Sequence, residues 1–207
     1  MYFNKLRVGL FSTNCYIYAD ENTKEAVVID PGGESDKIIN EIVKNNLQVK
    51  YIIITHSHID HIKALDDVKK HTNALIVCGK KDGIAINDDN LSLATHFRRK
   101  APSSKPDILV CDNDEIKFSD TILKIIETPG HTVGGISIYD YKEKILFSGD
   151  TLFFESVGRT DFDGGNFKEL SDSIKNKLFV LPDETKVYPG HSQETSIGHE
   201  KEANFYV

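Results

Sequence analysis

Three histidines and an aspartate lie close together in the run Thr55-His56-Ser57-His58-Ile59-Asp60-His61. Imidazole and carboxylate groups are the side chains that bind zinc and similar divalent metals. His56 and His58 are two positions apart, so on an extended segment both side chains point the same way and can bind one ion. Asp60 and His61 follow where the chain must turn, and they can face a second ion. An exposed polar loop that happens to be rich in histidine is the alternative interpretation.

Three more candidate ligands follow apolar segments that end in glycine, at Pro129-Gly130-His131, Ser148-Gly149-Asp150 and Pro189-Gly190-His191. Each pattern predicts a buried strand, then a tight turn, then a metal-binding side chain. Glycine at such a turn lets the backbone approach a crowded site, because it carries no side chain. Strand ends that lie side by side in a sheet would bring these residues to the histidine-rich run. The repeated pattern therefore favours a shared metal site over an exposed loop.

Size and composition are those of an ordinary globular protein. The chain has 207 residues, of which 39% are hydrophobic and 28% charged, and it is long enough for one packed domain over residues 1–207. Its net charge of −7 argues against a nucleic-acid partner, because phosphate binding depends on a basic surface. No apolar run approaches the roughly 20 residues of a membrane span, and Met1–Lys5 shows no signal peptide. We therefore expect a cytoplasmic protein without a membrane partner.

Apolar periodicity predicts strands in both halves of the chain, with helices at intervals. The predicted strands are residues 14–18, 26–29, 51–54, 74–77, 108–111, 115–118, 122–126, 136–139, 145–147 and 186–188. Helices are predicted around residues 38–43, from about Asp60 through Val68, over 168–178 and after Ser196, and a basic insert at 92–106 is irregular or helical. Two such halves can pack sheet against sheet with helices outside, which predicts four layers. The dispersed cysteines are expected to be reduced and buried: Cys15, Cys78 and Cys111.

These motifs occur in an order that resembles the metallo-β-lactamase superfamily, and the resemblance covers essentially the whole chain. It implies an α+β fold, the four-layer αβ/βα sandwich, with metals at one edge between the sheets. It also implies two divalent ions, the first bound by His56, His58 and His131, and the second bound by Asp60, His61 and His191. By the same resemblance, Asp150 would bridge both ions.

Two segments narrow the resemblance to two groups within this superfamily, the small glyoxalase II-like hydrolases and the persulfide dioxygenases. These segments are Gly158–Gly165 and Tyr188–Gly198. Asp150 and His61 argue against β-lactamases, which usually have cysteine and a non-histidine residue at those positions. The larger glyoxalase II enzymes have a helical C-terminal extension that helps to bind glutathione, whereas this chain ends at Val207. The chain therefore resembles the compact bacterial form, and thioester hydrolysis is implied without a defined thiol carrier.

Two metals that share Asp150 would also share a water molecule, and metal binding lowers the pKa of water from about 15.7 to about 7. The resulting hydroxide would attack a carbonyl, and Asp60 is a ligand that can also orient it. A thiolate leaving group has a pKa of about 8.5 and departs without an obligatory proton donor. Thioesters therefore suit such a site, and the resemblance to glyoxalase II-like hydrolases implies a substrate such as S-lactoylglutathione. Zinc is the expected metal, although this ligand set also accepts iron and manganese.

Arg159 is the candidate for binding a substrate carboxylate through its planar guanidinium group. Alternatively, Arg159 pairs with Asp161 or Asp163 and only holds the loop. The basic cluster Phe97-Arg98-Arg99-Lys100 either contacts an anionic substrate or belongs to a solvated insert.

Three other functions stay open. A mononuclear iron persulfide dioxygenase would use part of the same ligand set. A lactonase or phosphodiesterase is the second alternative, because similar sites cleave several kinds of ester. The third alternative is a metal-binding module without catalysis. In such a module the complete ligand set would serve no reaction.

Overall fold

The computed structural model describes residues 1–207, and strands and helices alternate along this chain. The strands of the first half are β1 Tyr2–Val8, β2 Thr13–Ala19, β3 Glu25–Ile29, β4 Gln48–Ile54, β5 Leu75–Gly79 and β6 Ile108–Val110. Those of the second half are β7 Glu115–Phe118, β8 Thr121–Glu127, β9 Ile136–Asp140, β10 Ile145–Gly149, β11 Leu152–Phe153, β12 Ser156–Val157, β13 Lys186–Pro189 and β14 Thr195–Ser196. The α-helices are α1 Ser35–Lys44, α2 Ile59–Ile62, α3 Leu65–Thr72, α4 Phe167–Ser173 and α5 Ile197–Ala203. A π-helical turn, Ile174–Leu178, continues α4, and 3₁₀ turns lie at Ala85–Asn87 and Thr95–Phe97.

Twelve of the strands form two six-stranded sheets. The first has the order β1-β2-β3-β4-β5-β6, with parallel pairing from β3 to β6. The second has the order β14-β13-β10-β9-β8-β7 and is antiparallel except between β10 and β13. The residues Ile52, Ile53 and Ile54 of β4 are completely buried, as expected for a central parallel strand that is covered on both faces.

The two sheets pack face to face around a core of aromatic and aliphatic side chains. Tyr18 and Ile53 enter this core from the first sheet, and Phe147 and Leu123 enter it from the second. Tyr18 Oη donates a hydrogen bond to Asp140 Oδ2 at 2.8 Å, and this bond joins the two sheets inside the protein.

Helices cover the outer face of each sheet. On the first sheet, α1 buries Ile38 and Ile42, and α3 buries Leu65 and Val68. On the second sheet, α4 and its π-helical turn bury an apolar row: Leu170, Ile174 and Leu178. The order helix, sheet, sheet, helix confirms the predicted four-layer α+β sandwich. None of the helices combines the length and apolar character that crossing a membrane requires.

One predicted helix is divided in the structure, and the first strand was not predicted. The helix expected from Asp60 through Val68 is divided into α2 and α3, because the Ala64 amide donates to the Pro31 carbonyl oxygen at 2.9 Å and leaves the helical pattern. The strand β1 was not predicted from the sequence. Most residues of β1 are half-buried rather than alternately buried and exposed, so the strand lacks the period-2 signal.

The cysteine prediction is partly wrong. Cys15 and Cys78 are buried and reduced as expected, but Cys111 is exposed. Cys111 follows β6 in a turn where its amide donates to Asp114 Oδ2 at 2.7 Å. A turn at the end of an edge strand offers no core for the thiol.

We predict that Tyr18→Phe lowers the free energy of unfolding by about 1–3 kcal/mol, because Asp140 loses a buried hydrogen-bond donor. Urea denaturation measures this change. Tyr141→Phe is the matched control, since Tyr141 is 51% exposed and its hydroxyl makes no hydrogen bond. Equal unfolding free energies for the two variants would contradict the stabilising role of the Tyr18 bond.

Candidate metal centre

All seven predicted ligands lie at one edge of the sandwich. In the second sheet β8, β10 and β13 run in the same direction, so His131, Asp150 and His191 follow strand ends on the same side. In the first sheet β4 leads into the histidine-rich run, whose last part forms α2. The repeated pattern of strand, turn and polar residue therefore brings distant parts of the chain together.

The candidate ligand atoms form three overlapping groups, in each of which the atoms lie within 4.8 Å of one another: His56, His58 and His131; His56, His61 and Asp150; and Asp60, His61 and His191. Asp150 belongs to the second group and lies close to ligands of the other two. Its carboxylate oxygens are 3.3 Å from His61 Nε2, 3.6 Å from His131 Nε2 and 3.5 Å from His191 Nε2. The first and third groups match the two ligand sets that the family resemblance implies. The individual ligand roles stay predictions.

Asp30 is a buried carboxylate that orients two of these histidines from behind. It accepts hydrogen bonds from the Thr55 amide at 2.8 Å, from Thr55 Oγ1 at 2.6 Å and from His61 Nδ1 at 2.9 Å. Because the Thr55 hydroxyl donates to Asp30, its oxygen is free to accept from His56 Nδ1, which lies 3.1 Å away. In their neutral forms, His56 and His61 therefore both carry their lone pair on Nε2, which faces the centre.

Ring nitrogens of other histidines also converge on the centre. His131 Nδ1 donates to the Arg159 carbonyl oxygen at 2.7 Å, so neutral His131 has its lone pair on Nε2. That Nε2 lies 2.9 Å from His58 Nδ1. His56 Nε2 is buried and makes no hydrogen bond. Buried polar atoms normally have partners, so convergent nitrogens of this kind fit a group of divalent ions.

The electrostatics of the centre match the needs of metal ligands. Burial, together with the neighbouring histidines, keeps the pKa of His56 well below its ordinary value and lowers the pKa of His58 to about 3. Burial raises the pKa of Asp150, but the charge of His61 and a hydrogen bond from it outweigh burial and hold that pKa well below its ordinary value. His56 and His58 are therefore neutral beside the ionised Asp150, as metal ligands must be. Burial lowers the pKa of His61, but the charges of Asp150, Asp60 and Asp30 outweigh burial and raise that pKa well above its ordinary value, so a metal ion would have to displace a proton from His61.

Two glycines allow the backbone to pack closely around Asp150. A Cβ at Gly190 would overlap Asp150 Oδ1 and come within 2.6 Å of His61 Cε1. A Cβ at Gly158 would overlap the Asp150 carbonyl oxygen. The donor set, the unpartnered His56 nitrogen and this packing together fit a binuclear divalent metal site.

The loop after β13, which carries the last ligand, is held by residues from the start of β2. Asn14 Nδ2 donates to the carbonyl oxygens of Pro189 at 2.9 Å and of Ser192 at 3.0 Å, and the Asn14 amide donates to the Gly190 carbonyl oxygen at 2.7 Å. Tyr16 Oη donates to the Pro189 carbonyl oxygen at 2.6 Å. The first sheet therefore positions a ligand of the second.

A cleft of about 420 Å³ opens onto the metal centre. Asp60, Asp150 and three of the histidines line its floor. Its apolar lining comes from six side chains: Phe11, Leu93, Phe97, Phe153, Val157 and Phe162. A mostly apolar cleft with a few convergent polar groups is the usual form of a small-molecule site.

Arg159 lies in this cleft and pairs with Asp161. Its Nε and Nη2 atoms donate to the two carboxylate oxygens of Asp161, each at 2.7 Å, and its guanidinium carbon lies 4.0 Å from the centre of the Phe162 ring. The pair is exposed to solvent. Of the two carboxylates considered from the sequence, Asp161 is the partner and Asp163 is not. Binding of a substrate carboxylate by Arg159 stays a prediction, and such a group would compete with Asp161.

Two carboxylates that position the ligands, Asp30 and Asp82, were not among the predicted site residues. Asp30 directly follows β3 and precedes Pro31-Gly32, the same pattern that marks the predicted ligands, so a signal was present. Asp82 Oδ2 accepts from the Ser57 amide at 3.0 Å and from Thr132 Oγ1 at 2.9 Å, and thereby links the histidine-rich run to the loop of His131. Asp82 was not singled out, because its polar segment Lys80-Lys81-Asp82-Gly83 contains none of the predicted ligand motifs.

A hairpin of β11 and β12 forms one wall of the cleft and is fixed by Glu200. This completely buried carboxylate accepts from the Glu155 amide at 3.0 Å, from Thr195 Oγ1 at 2.6 Å and from Asn204 Nδ2 at 2.8 Å. The hairpin residue Phe153 points into the cleft. The C-terminal helix α5 therefore supports the cleft wall without supplying a ligand.

We predict that Asp30→Asn weakens metal retention by about 10–100-fold, because an amide has one acceptor oxygen and its NH2 group cannot accept the third of these hydrogen bonds from Thr55 and His61. The measurement is the chelator concentration that removes half of the bound metal. Asp120→Asn is the control, since Asp120 is exposed and makes no ion pair. Metal retention equal to that of the wild type would contradict the orienting role of Asp30.

Known proteins resemble this chain along nearly its whole length. A family model described as the metallo-β-lactamase superfamily matches residues 8–191. Hydroxyacylglutathione hydrolase GloC of Haemophilus influenzae is 34% identical over 202 residues, which span 97% of this chain and 95% of that protein.

Two solved structures show the same likeness in three dimensions. The crystal structure of the B3 metallo-β-lactamase BLEG-1 has a TM-score of 0.95 and 34% identity, and the match covers 99% of each chain. ETHE1 from Myxococcus xanthus has a TM-score of 0.83 and 33% identity over 99% of this chain and 84% of that one. The chain belongs to the metallo-β-lactamase superfamily.

Proposed function

We propose that this protein is a binuclear metal-dependent hydrolase of thioesters, acting on S-acyl derivatives of a small thiol such as S-lactoylglutathione. The observation that carries the proposal is the placement of Asp150 between two triads of potential ligands. The likeness to the hydroxyacylglutathione hydrolase GloC over 97% of the chain supports the choice of substrate class.

In this proposal His56, His58 and His131 would hold one ion, Asp60, His61 and His191 would hold the other, and Asp150 would be shared by the two sites. Two such ions, when bound, would supply a nucleophile from water at neutral pH and an electrophilic contact for the substrate carbonyl.

The chain's own residues orient and protect the reacting groups. Asp60 Oδ2 lies 3.2 Å from His191 Nε2 and can accept from Thr13 Oγ1 at 3.3 Å, so its carboxylate is held at the floor of the cleft. The phenylalanines of the cleft, among them Phe153 and Phe162, exclude water from a bound acyl group. A thiolate leaves without a general acid because its pKa is about 8.5.

A persulfide dioxygenase is the second candidate, favoured by the likeness to ETHE1. His56, His61 and Asp150 form a group of two imidazoles and one carboxylate, the donor set of mononuclear iron oxygenases. The hydrolase is preferred because the remaining four potential ligands converge on the same centre and would have no use around a single iron.

β-Lactam hydrolysis needs a test as well. His61 and Asp150 were expected to disfavour this activity, but the chain is 34% identical to the B3 metallo-β-lactamase BLEG-1, which weakens that expectation. A substrate panel should therefore contain thioesters, lactones, phosphodiesters and β-lactams. Turnover of β-lactams but of no thioester would reject the proposed substrate class.

We predict that protein purified without added metal contains about two divalent ions per chain, measured by elemental analysis. Their removal by a chelator should lower the melting temperature, because Asp60 and Asp150 lose the cations that balance their buried charges. One iron per chain, with oxygen uptake on a persulfide, would instead support the dioxygenase.

We predict that Asp150→Asn lowers kcat/KM for the best thioester by at least about 100-fold and reduces the metal content, because one bridging carboxylate oxygen is replaced. Asp163→Asn is the matched control, since Asp163 is an exposed carboxylate of the adjacent loop that pairs with no cation. A variant with full metal content and full activity would remove Asp150 from the mechanism.

A further inference from the structure

A second cavity of about 280 Å³ lies beside the catalytic cleft. The two share three lining residues: Phe11, Asp60 and Phe97. The rings of Phe11 and Phe97 meet edge to face with centres 4.9 Å apart, and they belong to both walls. Asp60, one of the predicted metal ligands, also borders both, so the second cavity adjoins the metal centre.

The backbone shapes the floor of this cavity. The loop between β1 and β2 passes so close to the turn after β3 that a Cβ on Gly33 would come within 2.9 Å of Gly9 Cα. A Cβ on Gly32 would overlap the Asp60 carbonyl oxygen. Three segments therefore meet here with no side chains between them, and the cavity is part of the packed structure.

Two cations line the cavity, and neither has a partner in the protein. Lys63 follows α2, and Arg99 belongs to the basic insert, where its amide donates to the Ala94 carbonyl oxygen at 2.8 Å. Neither side chain makes an ion pair or a hydrogen bond, although the chain has a net charge of −7 and many of its other lysines are paired.

The carboxylates of the cavity have other contacts. Glu34 accepts a hydrogen bond from the Gly9 amide at 3.1 Å, and Asp60 lies 3.2 Å from His191 at the metal centre. The charges of Lys63 and Arg99 are therefore available to a bound anion. Arg98 and Lys100, which flank Arg99 in the insert, do not line the cavity.

We propose that this cavity binds the thiol-carrier half of the substrate and that Lys63 and Arg99 bind an anionic group on that carrier. This inference rests on the proposed thioester hydrolysis. The cleft and the cavity together have the volume of a typical ligand site, and their junction at Asp60 places the bond between acyl group and sulfur near the metal centre. The anion is either a carboxylate of a peptide thiol or a phosphate of a nucleotide thiol, since a guanidinium and an ammonium group bind both.

The test compares three thioesters that share one acyl group and differ in the carrier: glutathione, coenzyme A and uncharged N-acetylcysteamine. We expect a lower KM for at least one charged carrier, and the preferred one identifies the anion. Lys63→Ala and Arg99→Ala should each raise that KM by about tenfold and leave kcat within about twofold, because a charge-assisted contact is lost. Their KM for the N-acetylcysteamine ester should not change.

Arg98→Ala is the matched control, because Arg98 is an adjacent exposed arginine outside the cavity. Raised salt should increase the KM of the charged thioesters in the wild type and have less effect in Arg99→Ala, since salt screens exposed charges. Equal KM values for all three carriers, unchanged in both cavity variants, would overturn the subsite and leave the thioesterase proposal intact.

Titration calorimetry with S-methylglutathione and with coenzyme A separates the two proposals, because it needs no turnover. Binding to the wild type that weakens about tenfold in Arg99→Ala supports the subsite even if no thioester is hydrolysed, and the proposed function would then be wrong. If neither carrier binds and no thioester is hydrolysed, both proposals are overturned.

Discussion

The hydrogen bonds of Asp30 are the interaction on which the centre depends most. One carboxylate accepts from the Thr55 amide, the Thr55 hydroxyl and the His61 ring, and through the hydroxyl it also determines which nitrogen of His56 carries the proton. A histidine binds a metal only through a nitrogen without a proton, so ligand geometry alone does not make a site. Asp30 links the end of β3 to the end of β4, and it can do so only because the two strands are parallel neighbours.

The sandwich explains why so many polar groups can share a small volume. Each ligand follows a strand or lies on the short helix beside one, and the strands are anchored by a core that contains Tyr18, Ile53 and Phe147. Rigid strand ends hold the imidazoles close together without the entropy cost of ordering long loops. The cavity beside the cleft has the same origin, since the backbone turns that border the centre also form its floor.

Much of the fold and the candidate site could be predicted from the sequence. Metal-binding side chains are recognised from their residue types, and buried strands are recognised from apolar runs. The histidine-rich run and the Gly-His and Gly-Asp turns were sufficient to predict that seven side chains lie at one edge of the sandwich. The roles of Asp30 and Asp82 could not be predicted in the same way. A supporting carboxylate has no pattern of its own, and its partners become neighbours only after two loops have packed.

Local signals also failed where tertiary contacts decide the outcome. The break between α2 and α3 depends on a hydrogen bond from Ala64 to Pro31, a residue in another part of the chain. The pairing of Arg159 with Asp161 is local, and the sequence analysis weighed it, yet only the structure shows that Asp163 takes no part.

The bonds from Asn14 to the loop of the last ligand have a consequence for folding. They join residues 175 and 178 positions apart, so this loop closes one of the longest segments in the chain. Contacts of such long range form slowly, because the entropy of the intervening segment must be lost first. The group of Asp60, His61 and His191 therefore comes together only when the two ends of the chain meet.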